Sequence, residues 1–241
     1  MLTYLREEKI LFTCDFFGSH LATTEIYATD KARVYEAAKR YYAEIMMPFH
    51  TMISKHLQRL DDYEIAMIAP SHGPVYDDPS FILDAYRHWV LDPPANVVLI
   101  PYVSMHGSTQ VMVDRLTTAL VNRGISVRPF NLSVTDLGKL AEALVEAKAV
   151  VFGTPTVLVG PHPSVVSAAY LVSALRPKLK HAGIIGSYGW VGKAPETIQS
   201  LTTSLKLEWL DPVMVKGLPR EEDLSRIDEL AEELARMMKG E

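Results

Sequence analysis

The sequence has a single cysteine, Cys14, among its 241 residues. One cysteine excludes an internal disulfide, a CxxC redox pair and a four-cysteine iron site within this chain. Long hydrophobic runs are also missing, because the longest apolar stretches, around Asn96–Ile100 and Ala149–Phe152, have only the length of buried strands. The first residues are neither basic nor strongly apolar, so no signal peptide is predicted. These absences predict a cytoplasmic protein that does not associate with a membrane.

An excess of positive charge is missing as well. The formal net charge is −5, whereas nucleic-acid-binding domains usually carry a basic face, so a nucleic-acid partner is not expected. Hydrophobic residues make up 48% and charged residues 22% of the chain, which is an ordinary globular composition. The acidic excess belongs to the first 95 residues, since the remainder carries equal numbers of acidic and basic side chains.

Two adjacent prolines, Pro93 and Pro94, divide the sequence into two parts. Proline cannot continue a helix and forces the residue before it into extended backbone. We therefore predict two domains, residues 1–94 and residues 95–241.

Short apolar strands and amphipathic helices alternate through the second part. This alternation predicts an α/β fold with a five-stranded, doubly wound parallel sheet. The predicted strands are Asn96–Tyr102, Ile125–Phe130, Ala149–Gly153, His181–Ser187 and a last one near Trp209–Val215. The predicted helices are Thr109–Arg123, Thr135–Ala147, Ser164–Leu175, Pro195–Leu205 and a terminal helix from about Arg220.

The first part has a different pattern, with two short sheet pieces and two helices. Residues Thr3–Tyr4 and Ile10–Phe12 are predicted to form a hairpin, and apolar spacing predicts one long helix over Lys31–Arg59. Ile65–Ala69 is predicted to be a strand and Ser80–Trp89 a helix. A strand pair of this size is seldom stable alone, so this part is expected to belong to a larger sheet.

The loop after the first strand of the second part, Ser104–Thr109, has the composition of an anion site. It is rich in hydroxyl groups and opens a helix, whose free backbone N–H groups attract an anion. It contains neither Lys nor Arg and lacks the GxxxxGK[ST] pattern, which disfavours a nucleoside triphosphate and suits a terminal monophosphate. The alternative is an ordinary helix N-cap formed by Ser and Thr.

Two further loops are expected at the same sheet edge. Gly153–Pro163 is predicted to be a long, mostly apolar loop, and Gly186–Gly192 places Tyr188 and Trp190 between glycines. An exposed indole needs a surface to pack on, and either a flat heteroaromatic ligand or a neighbouring chain would provide one. Together the three loops predict a site for flavin mononucleotide (FMN).

Several segments, in this order along the chain, resemble the flavodiiron protein family. From Asn96 onwards the sequence is similar to the flavodoxin-like domain of that family, through "MHGST" and "GSYGWVGKA". The preceding part resembles the end of its metallo-β-lactamase-like domain, through "ILFTCDFFGSH" and "IAPSHGPVY". The resemblance covers essentially the whole chain. It implies an oxidoreductase that uses FMN to pass electrons to a non-haem diiron centre, which reduces O₂ to water or NO to N₂O.

The resemblance also implies roles for particular residues. Asp15 matches the carboxylate that bridges the two irons, and His72 matches the last histidine ligand. The FMN-binding residues implied by the match are Ser104, Met105, His106, Gly107, Ser108 and Thr109 at the phosphate, and Thr154, Pro155, Thr156, Ser187, Tyr188, Gly189, Trp190, Val191 and Gly192 around the ring.

The metal site implied by the resemblance is incomplete in this sequence. The HxExDH motif and a further histidine, which supply most of the family's ligands, have no match among the eight histidines here. Asp15 and His72 cannot hold two irons by themselves, and their alternative roles are capping a turn and hydrogen bonding within a loop. Cys14 is expected to be a small buried apolar residue. A separate chain carrying the missing half, repacking within a homodimer, and a fragment or mis-called start remain open.

Three functions are therefore considered. The first is an FMN-binding electron-transfer unit, the C-terminal part of a split or truncated flavodiiron reductase, which would be an enzyme only when another chain completes the diiron site. Its expected partners are a rubredoxin or flavin reductase, the N-terminal-half polypeptide and a second copy in a homo-oligomer. The second is a flavodoxin-type electron carrier without metal function, in which residues 1–94 form an interaction domain. The third is a scaffold whose flavin site has decayed.

Overall fold

The computed structural model describes residues 2–240, so the terminal residues 1 and 241, at the outer bounds of the two predicted domains, lie outside the described residues. The chain separates into two compact units, one that ends at Pro93 and one that begins at Pro94.

The first unit contains a three-stranded sheet in the order β1-β2-β3. Strands β1 (Thr3–Leu5) and β2 (Ile10–Cys14) pair antiparallel, which confirms the predicted hairpin. Strand β3 (Met67–Pro70) lies parallel to β2 on its other side. Side chains alternate between the faces of β2, so that Leu11 is buried whereas Phe12 is 47% exposed.

The single helix predicted over Lys31–Arg59 is wrong, because the structure interrupts it. Helix α1 (Lys31–Tyr41) continues into a π-helical segment, Tyr42–Met46, and a 3₁₀ turn, Met47–Phe49, before α2 (His50–Leu60) begins. Pro48 explains the break, since it has no N–H to donate and its ring collides with the carbonyl four residues earlier. The apolar periodicity of this segment predicts a continuous helix and does not take Pro48 into account.

The core of the first unit is built mainly from aromatic side chains. Helix α3 (Pro79–Leu91) buries Tyr86 and Trp89 completely, and the Tyr86 ring lies 4.8 Å from that of Phe17. The Trp89 indole donates a hydrogen bond of 3.1 Å to the Tyr35 hydroxyl, which satisfies its only donor. This cluster supports the loop that carries Phe17 and, two residues earlier, Asp15.

The second unit is an α/β domain with a parallel sheet in the order β10-β8-β6-β4-β5, which confirms the predicted fold class. Two short strands add to this path, since β7 pairs with β6 and β9 pairs with β8. The strands are β4 (Ala95–Tyr102), β5 (Ser126–Asn131), β6 (Ala147–Val157), β7 (Gly160–Pro161), β8 (His181–Tyr188), β9 (Glu208–Trp209) and β10 (Val213–Lys216). The helices are α4 (Ser108–Val121), α5 (Leu137–Leu144), α6 (Pro163–Leu175), α7 (Ala194–Leu201) and α8 (Glu221–Lys239).

Two predictions for this unit need correction. The segment predicted as a loop from Gly153 to Pro163 is largely strand, because β6 continues to Val157 and turns back into β7 as an antiparallel hairpin. The last predicted strand is two strands, β9 and β10, separated at Pro212, whose missing N–H removes a donor from the ladder. Among residues 2–240, no helix is both long and apolar enough to cross a membrane.

Candidate functional site: a cavity at the sheet edge and an aspartate–histidine pair

Four parallel strands of the second unit end at one edge of its sheet. The register places Tyr102 of β4 beside Gly153 of β6, and Pro155 of β6 beside Ser187 of β8. On the other side of β8, Lys216 of β10 lies beside Tyr188. In an open parallel sheet, ligands bind outside the carboxyl ends of the strands. The loops that follow these strands are therefore in the position of a binding site.

A cavity of about 390 Å³ opens between these loops. Its volume lies within the range of roughly 300–1,000 Å³ that is typical of small-molecule sites. The lining comes from the loop after β4 and the start of α4, from the end of the β6 strand and its turn, and from the segments after β8 and β10. The lining residues are Ser104, Met105, His106, Ser108, Thr109, Pro155, Thr156, Val157, Leu158, Ser187, Tyr188, Gly189, Trp190, Val191 and Gly217.

The N-terminus of α4 forms one end of this cavity. Gly107 adopts a left-handed conformation, φ +91°, immediately before the helix, which a residue with a side chain adopts only with strain. The Ser104 hydroxyl accepts a hydrogen bond of 3.1 Å from the Gln110 N–H and so caps the first turn. The N–H groups of Ser108 and Thr109 belong to the first turn, where a helix has no internal acceptors for them. They are available to an anionic group.

Two threonine hydroxyls on the cavity lining are buried without a hydrogen-bond partner among the described residues. They are Oγ1 of Thr109 and Oγ1 of Thr156. A buried polar atom without a partner costs about 1–3 kcal/mol, so such atoms are uncommon in folded proteins. A polar ligand in the cavity would supply the missing partners. The cavity residues therefore fit a ligand that carries hydrogen-bonding groups.

The loop after β8 presents an indole to solvent beside the same cavity. Trp190 is 84% exposed, and Val191 next to it is 50% exposed. Gly192 lets this loop approach β6 closely, because a Cβ there would lie 2.9 Å from the Thr156 hydroxyl oxygen. An indole held at the rim of a cavity can cover one face of a flat aromatic ligand.

The cavity lining carries no permanently charged side chain in the described part of the chain. Among residues 2–240, those that line the cavity include no Asp, Glu, Lys or Arg, and the ionisable side chains in the lining are those of His106 and Tyr188. A phosphate bound here would interact with backbone N–H groups and hydroxyls rather than with lysine or arginine.

The structure does not bring every predicted cofactor residue to the cavity surface. Gly107 shapes the turn before α4, and Gly192 allows the close approach of its loop, but neither lines the cavity. Thr154 is buried, and its hydroxyl donates to the Pro155 carbonyl at 2.8 Å and accepts from the His162 N–H at 3.0 Å. The Thr154 hydroxyl thus has its hydrogen-bond partners inside the protein.

Three lining residues, Val157, Leu158 and Gly217, are not among the individual cofactor residues predicted from the sequence. Val157 is the last residue of β6 and Leu158 follows it in the turn to β7, both within the segment Gly153–Pro163 that the sequence predicts to be a loop of the site. Gly217 follows the last residue of β10, and its N–H donates to the Tyr188 carbonyl at 2.9 Å. Its position directly after a parallel strand was the signal that could have identified it.

In the first unit, the two predicted metal ligands lie side by side. Nε2 of His72 is 3.2 Å from Oδ1 of Asp15, and both side chains are about half exposed. Backbone hydrogen bonds join their loops, since the Ser71 N–H donates to the Cys14 carbonyl at 2.8 Å and the Ser19 N–H donates to the His72 carbonyl at 3.0 Å. These bonds fix the two loops relative to each other.

Left-handed backbone conformations shape the loop that presents Asp15. Cys14 and Phe17, on either side of it, have φ values of +55° and +67°. Cys14 is exposed rather than buried as expected, because it lies in this turn and on the outward face of β2. The buried Tyr76 hydroxyl donates a hydrogen bond of 2.9 Å to the Phe17 carbonyl and so supports the turn from below.

Two more side chains surround the pair. The ring of His20 lies 5.9 Å from that of His72, and the buried Tyr41 ring lies 6.0 Å from it. Burial, and to a lesser extent the neighbouring Asp15 and Cys14, raise the pKa of the Tyr41 phenol. Tyr41 is the last residue of α1, so the end of this helix places its ring beside the pair.

The described residues do not fit a diiron centre by themselves. Among residues 2–240, no group of three or more His, Cys, Asp or Glu side chains is arranged to hold a metal ion. Two octahedral irons need many more ligands than one carboxylate and one imidazole can supply. Asp15 and His72 are thus a pair of candidate ligands and not a metal site.

Known proteins are similar to this chain in both of its units. Residues 1–73 match the family described as "ODP family beta lactamase". A nitric oxide reductase from Moorella thermoacetica is 35% identical over 242 residues, which cover 98% of this chain and 61% of that protein. Rubredoxin oxygen:oxidoreductase from Desulfovibrio gigas superposes with a TM-score of 0.93 at 27% identity, over 100% of this chain and 62% of that one. The flavodiiron protein from Giardia intestinalis gives a TM-score of 0.89 at 27% identity, over 99% of this chain and 61% of its own.

The chain thus combines a first unit that matches a β-lactamase family with an α/β unit that has a cavity at the carboxyl edge of its parallel sheet. With the matches to solved structures over its whole length, the chain belongs to the flavodiiron protein family. It spans about three fifths of the length of the relatives that it matches.

Proposed function

We propose that the second unit binds one FMN in the cavity at the sheet edge and serves as an electron-transfer module of a flavodiiron-type oxidoreductase. The observation that carries the proposal is the combination of two unpartnered buried hydroxyls, a free helix N-terminus and an exposed indole around one uncharged cavity. FMN has the matching parts, namely a single terminal phosphate, a hydroxylated chain and a flat ring.

Different residues of the cavity would bind the phosphate and the ring of FMN. The N–H groups at the start of α4, with the Ser104, Ser108 and Thr109 hydroxyls nearby, would hold the phosphate without a cationic side chain. Tyr188 and Trp190 would flank the ring, and the end of β6 would provide an apolar wall. Bound FMN supplies a carrier that accepts and releases one or two electrons. The protein orients this carrier and limits its contact with water.

The reaction partners are part of the same proposal. The names of two relatives, nitric oxide reductase and rubredoxin oxygen:oxidoreductase, suggest NO or O₂ as the final electron acceptor and a rubredoxin-type protein as the donor. Because the chain spans less than two thirds of these relatives, the metal ligands missing here would come from polypeptide outside the described residues. Asp15 and His72 would add to them. A homo-oligomer is also expected.

FMN titration of the purified chain tests the first part. We expect uptake of one FMN with quenching of its fluorescence, and weaker uptake of riboflavin, which lacks the phosphate. Trp190→Ala should weaken FMN binding by about tenfold or more, because an aromatic side chain contributes roughly 1.5–3 kcal/mol on burial. Tyr170→Ala, which removes another exposed aromatic ring outside the cavity lining, is the matched control and should bind normally. A wild-type chain that takes up no FMN would refute the proposal.

Iron retention tests the second part. The chain is mixed with a polypeptide that carries the family's HxExDH motif, and protein-bound iron is measured after gel filtration. Retention that is lost in Asp15→Ala and His72→Ala, while FMN binding remains, supports a shared metal site. An iron-free mixture that contains full FMN would favour the alternative function, a flavodoxin-type electron carrier in which the first unit is an interaction domain.

A further inference from the structure

A strained leucine lies on the wall of the cavity. Leu158 has a left-handed backbone conformation, φ +57°, and its side chain is 86% exposed. It belongs to the tight turn that connects β6 to β7, where Val157 pairs with Gly160 across the hairpin. The same residue lines the cavity.

Neither turn geometry nor core packing explains a leucine at this position. Two-residue hairpin turns that need a positive φ favour Gly, Asn or Asp, which adopt this conformation with less strain. An apolar side chain that is 86% exposed buries almost no surface within its own unit. A residue that violates local preference without a structural gain points to a functional role.

The surroundings of Leu158 suggest what that role is. It continues an apolar wall formed by Pro155 and Val157, and the apolar side chains of Met105 and Trp190 belong to the same lining. The hairpin tip is also held in place, because the Lys193 N–H, just after the indole loop, donates to the Val159 carbonyl at 2.7 Å. The leucine is therefore fixed at the rim of the cavity rather than carried on a free loop.

We infer that Leu158 shields the ring of the bound flavin from water and thereby keeps the flavin's reduction potential lower than an open site would. The inference rests on the proposed FMN site. Reduction adds negative charge to the flavin, and water stabilises negative charge better than hydrocarbon does. Excluding water at this rim thus disfavours the reduced form.

Substitutions that separate backbone strain from the apolar side chain test this inference. Leu158→Gly relieves the strained conformation and removes the hydrocarbon, whereas Leu158→Met keeps an apolar side chain of similar size. Arg176→Gly is the matched control, because Arg176 also has a left-handed φ, +49°, at the end of α6 and outside the cavity lining.

We expect Leu158→Gly to bind FMN about tenfold more weakly, which corresponds to losing the burial of one leucine side chain. Its flavin midpoint potential should become less negative, while the melting temperature of the cofactor-free protein stays equal or rises. Leu158→Met and Arg176→Gly should retain the wild-type affinity and potential.

The outcomes are distinguishable. If wild type and Leu158→Gly bind FMN with equal affinity and potential, the shielding role is wrong and the proposed function stands. If Leu158→Met loses as much affinity as Leu158→Gly, hydrocarbon at this position is not the cause and the inference fails. If the wild-type chain binds no FMN, the proposed function itself fails.

Discussion

Thr109 and Thr117 lie on the same helix, α4, and each buries a side-chain hydroxyl that has no hydrogen-bond partner among the described residues. Only Thr109 lines the cavity. Both residues therefore bury an unsatisfied hydroxyl, which lowers stability, but only Thr109 is placed to contact a ligand. Comparing the two tests whether the unsatisfied hydroxyl of Thr109 serves ligand binding.

Replacing Thr109 by Val should stabilise the cofactor-free protein and weaken FMN binding. Valine has nearly the same shape, and removing an unsatisfied buried hydroxyl is expected to gain about 1 kcal/mol of unfolding free energy. The lost hydrogen bond to a charged group should lower FMN affinity by about tenfold. Urea denaturation of the cofactor-free protein and fluorescence titration with FMN measure the two effects.

Thr117→Val is the control for this prediction. It removes the same kind of hydroxyl from the same helix, so its stability should change in the same direction, but its FMN affinity should not change. Equal loss of affinity in both variants would show that the effect spreads through α4 and does not come from the cavity.

The sheet of the second unit and the positions of the loops at its edge could be predicted from the sequence. Buried strands such as Val97–Ile100, each followed by an amphipathic helix, determined the sheet, because apolar side chains in a parallel sheet are buried on both faces. The loop positions followed from that topology. The sequence alone therefore predicts that Ser104, Thr109 and Trp190 lie at one edge of the sheet.

The remaining features depend on single residues or on tertiary pairing. One proline, Pro48, interrupts an otherwise continuous helical periodicity, and no hydrophobic pattern signals a π-helical segment. Strand β6 extends through Pro155 because β8 and β7 pair with it, which the apolar loop composition does not reveal. The direction of the Thr154 hydroxyl is likewise set by the His162 N–H, eight positions along the chain.

The absence of acidic residues from the cavity lining should be visible in the flavin potential. We expect a midpoint potential less negative than that of flavodoxins with acidic rims, because no carboxylate opposes the negative charge of the reduced flavin. Val191→Glu should then shift the potential to a more negative value. Coulomb energy on the order of 1 kcal/mol corresponds to about 20 mV for a two-electron couple.

Spectroelectrochemistry of the FMN-loaded protein measures this shift. Val191→Gln has the same shape as the glutamate variant without its charge, so it should remain near the wild-type potential at low salt. A shift of the same size in both variants would assign the effect to polarity or to altered loop packing and would contradict the electrostatic explanation.

Away from the cavity, His181 at the start of β8 is nearly buried, and Nδ1 lies 3.2 Å from Oε2 of Glu208. Burial lowers its pKa below the ordinary value of 6.5, Lys148 and Lys180 lower it further, and Glu208 opposes them. The folded protein thus prefers the neutral imidazole. A neutral form favoured by folding makes stability depend on pH.

The unfolding free energy should fall as the pH drops below about 6.5, because the unfolded chain then binds a proton at His181 before the folded chain does. Above that pH the imidazole is neutral in both states, so this residue contributes no pH dependence. Urea denaturation of wild type and His181→Gln between pH 5 and 8 isolates the effect, since other groups titrate equally in both. Glu208→Gln removes the opposing charge and should steepen the acid loss. A wild-type curve parallel to that of His181→Gln over the whole range would mean that folding does not change the protonation of this histidine.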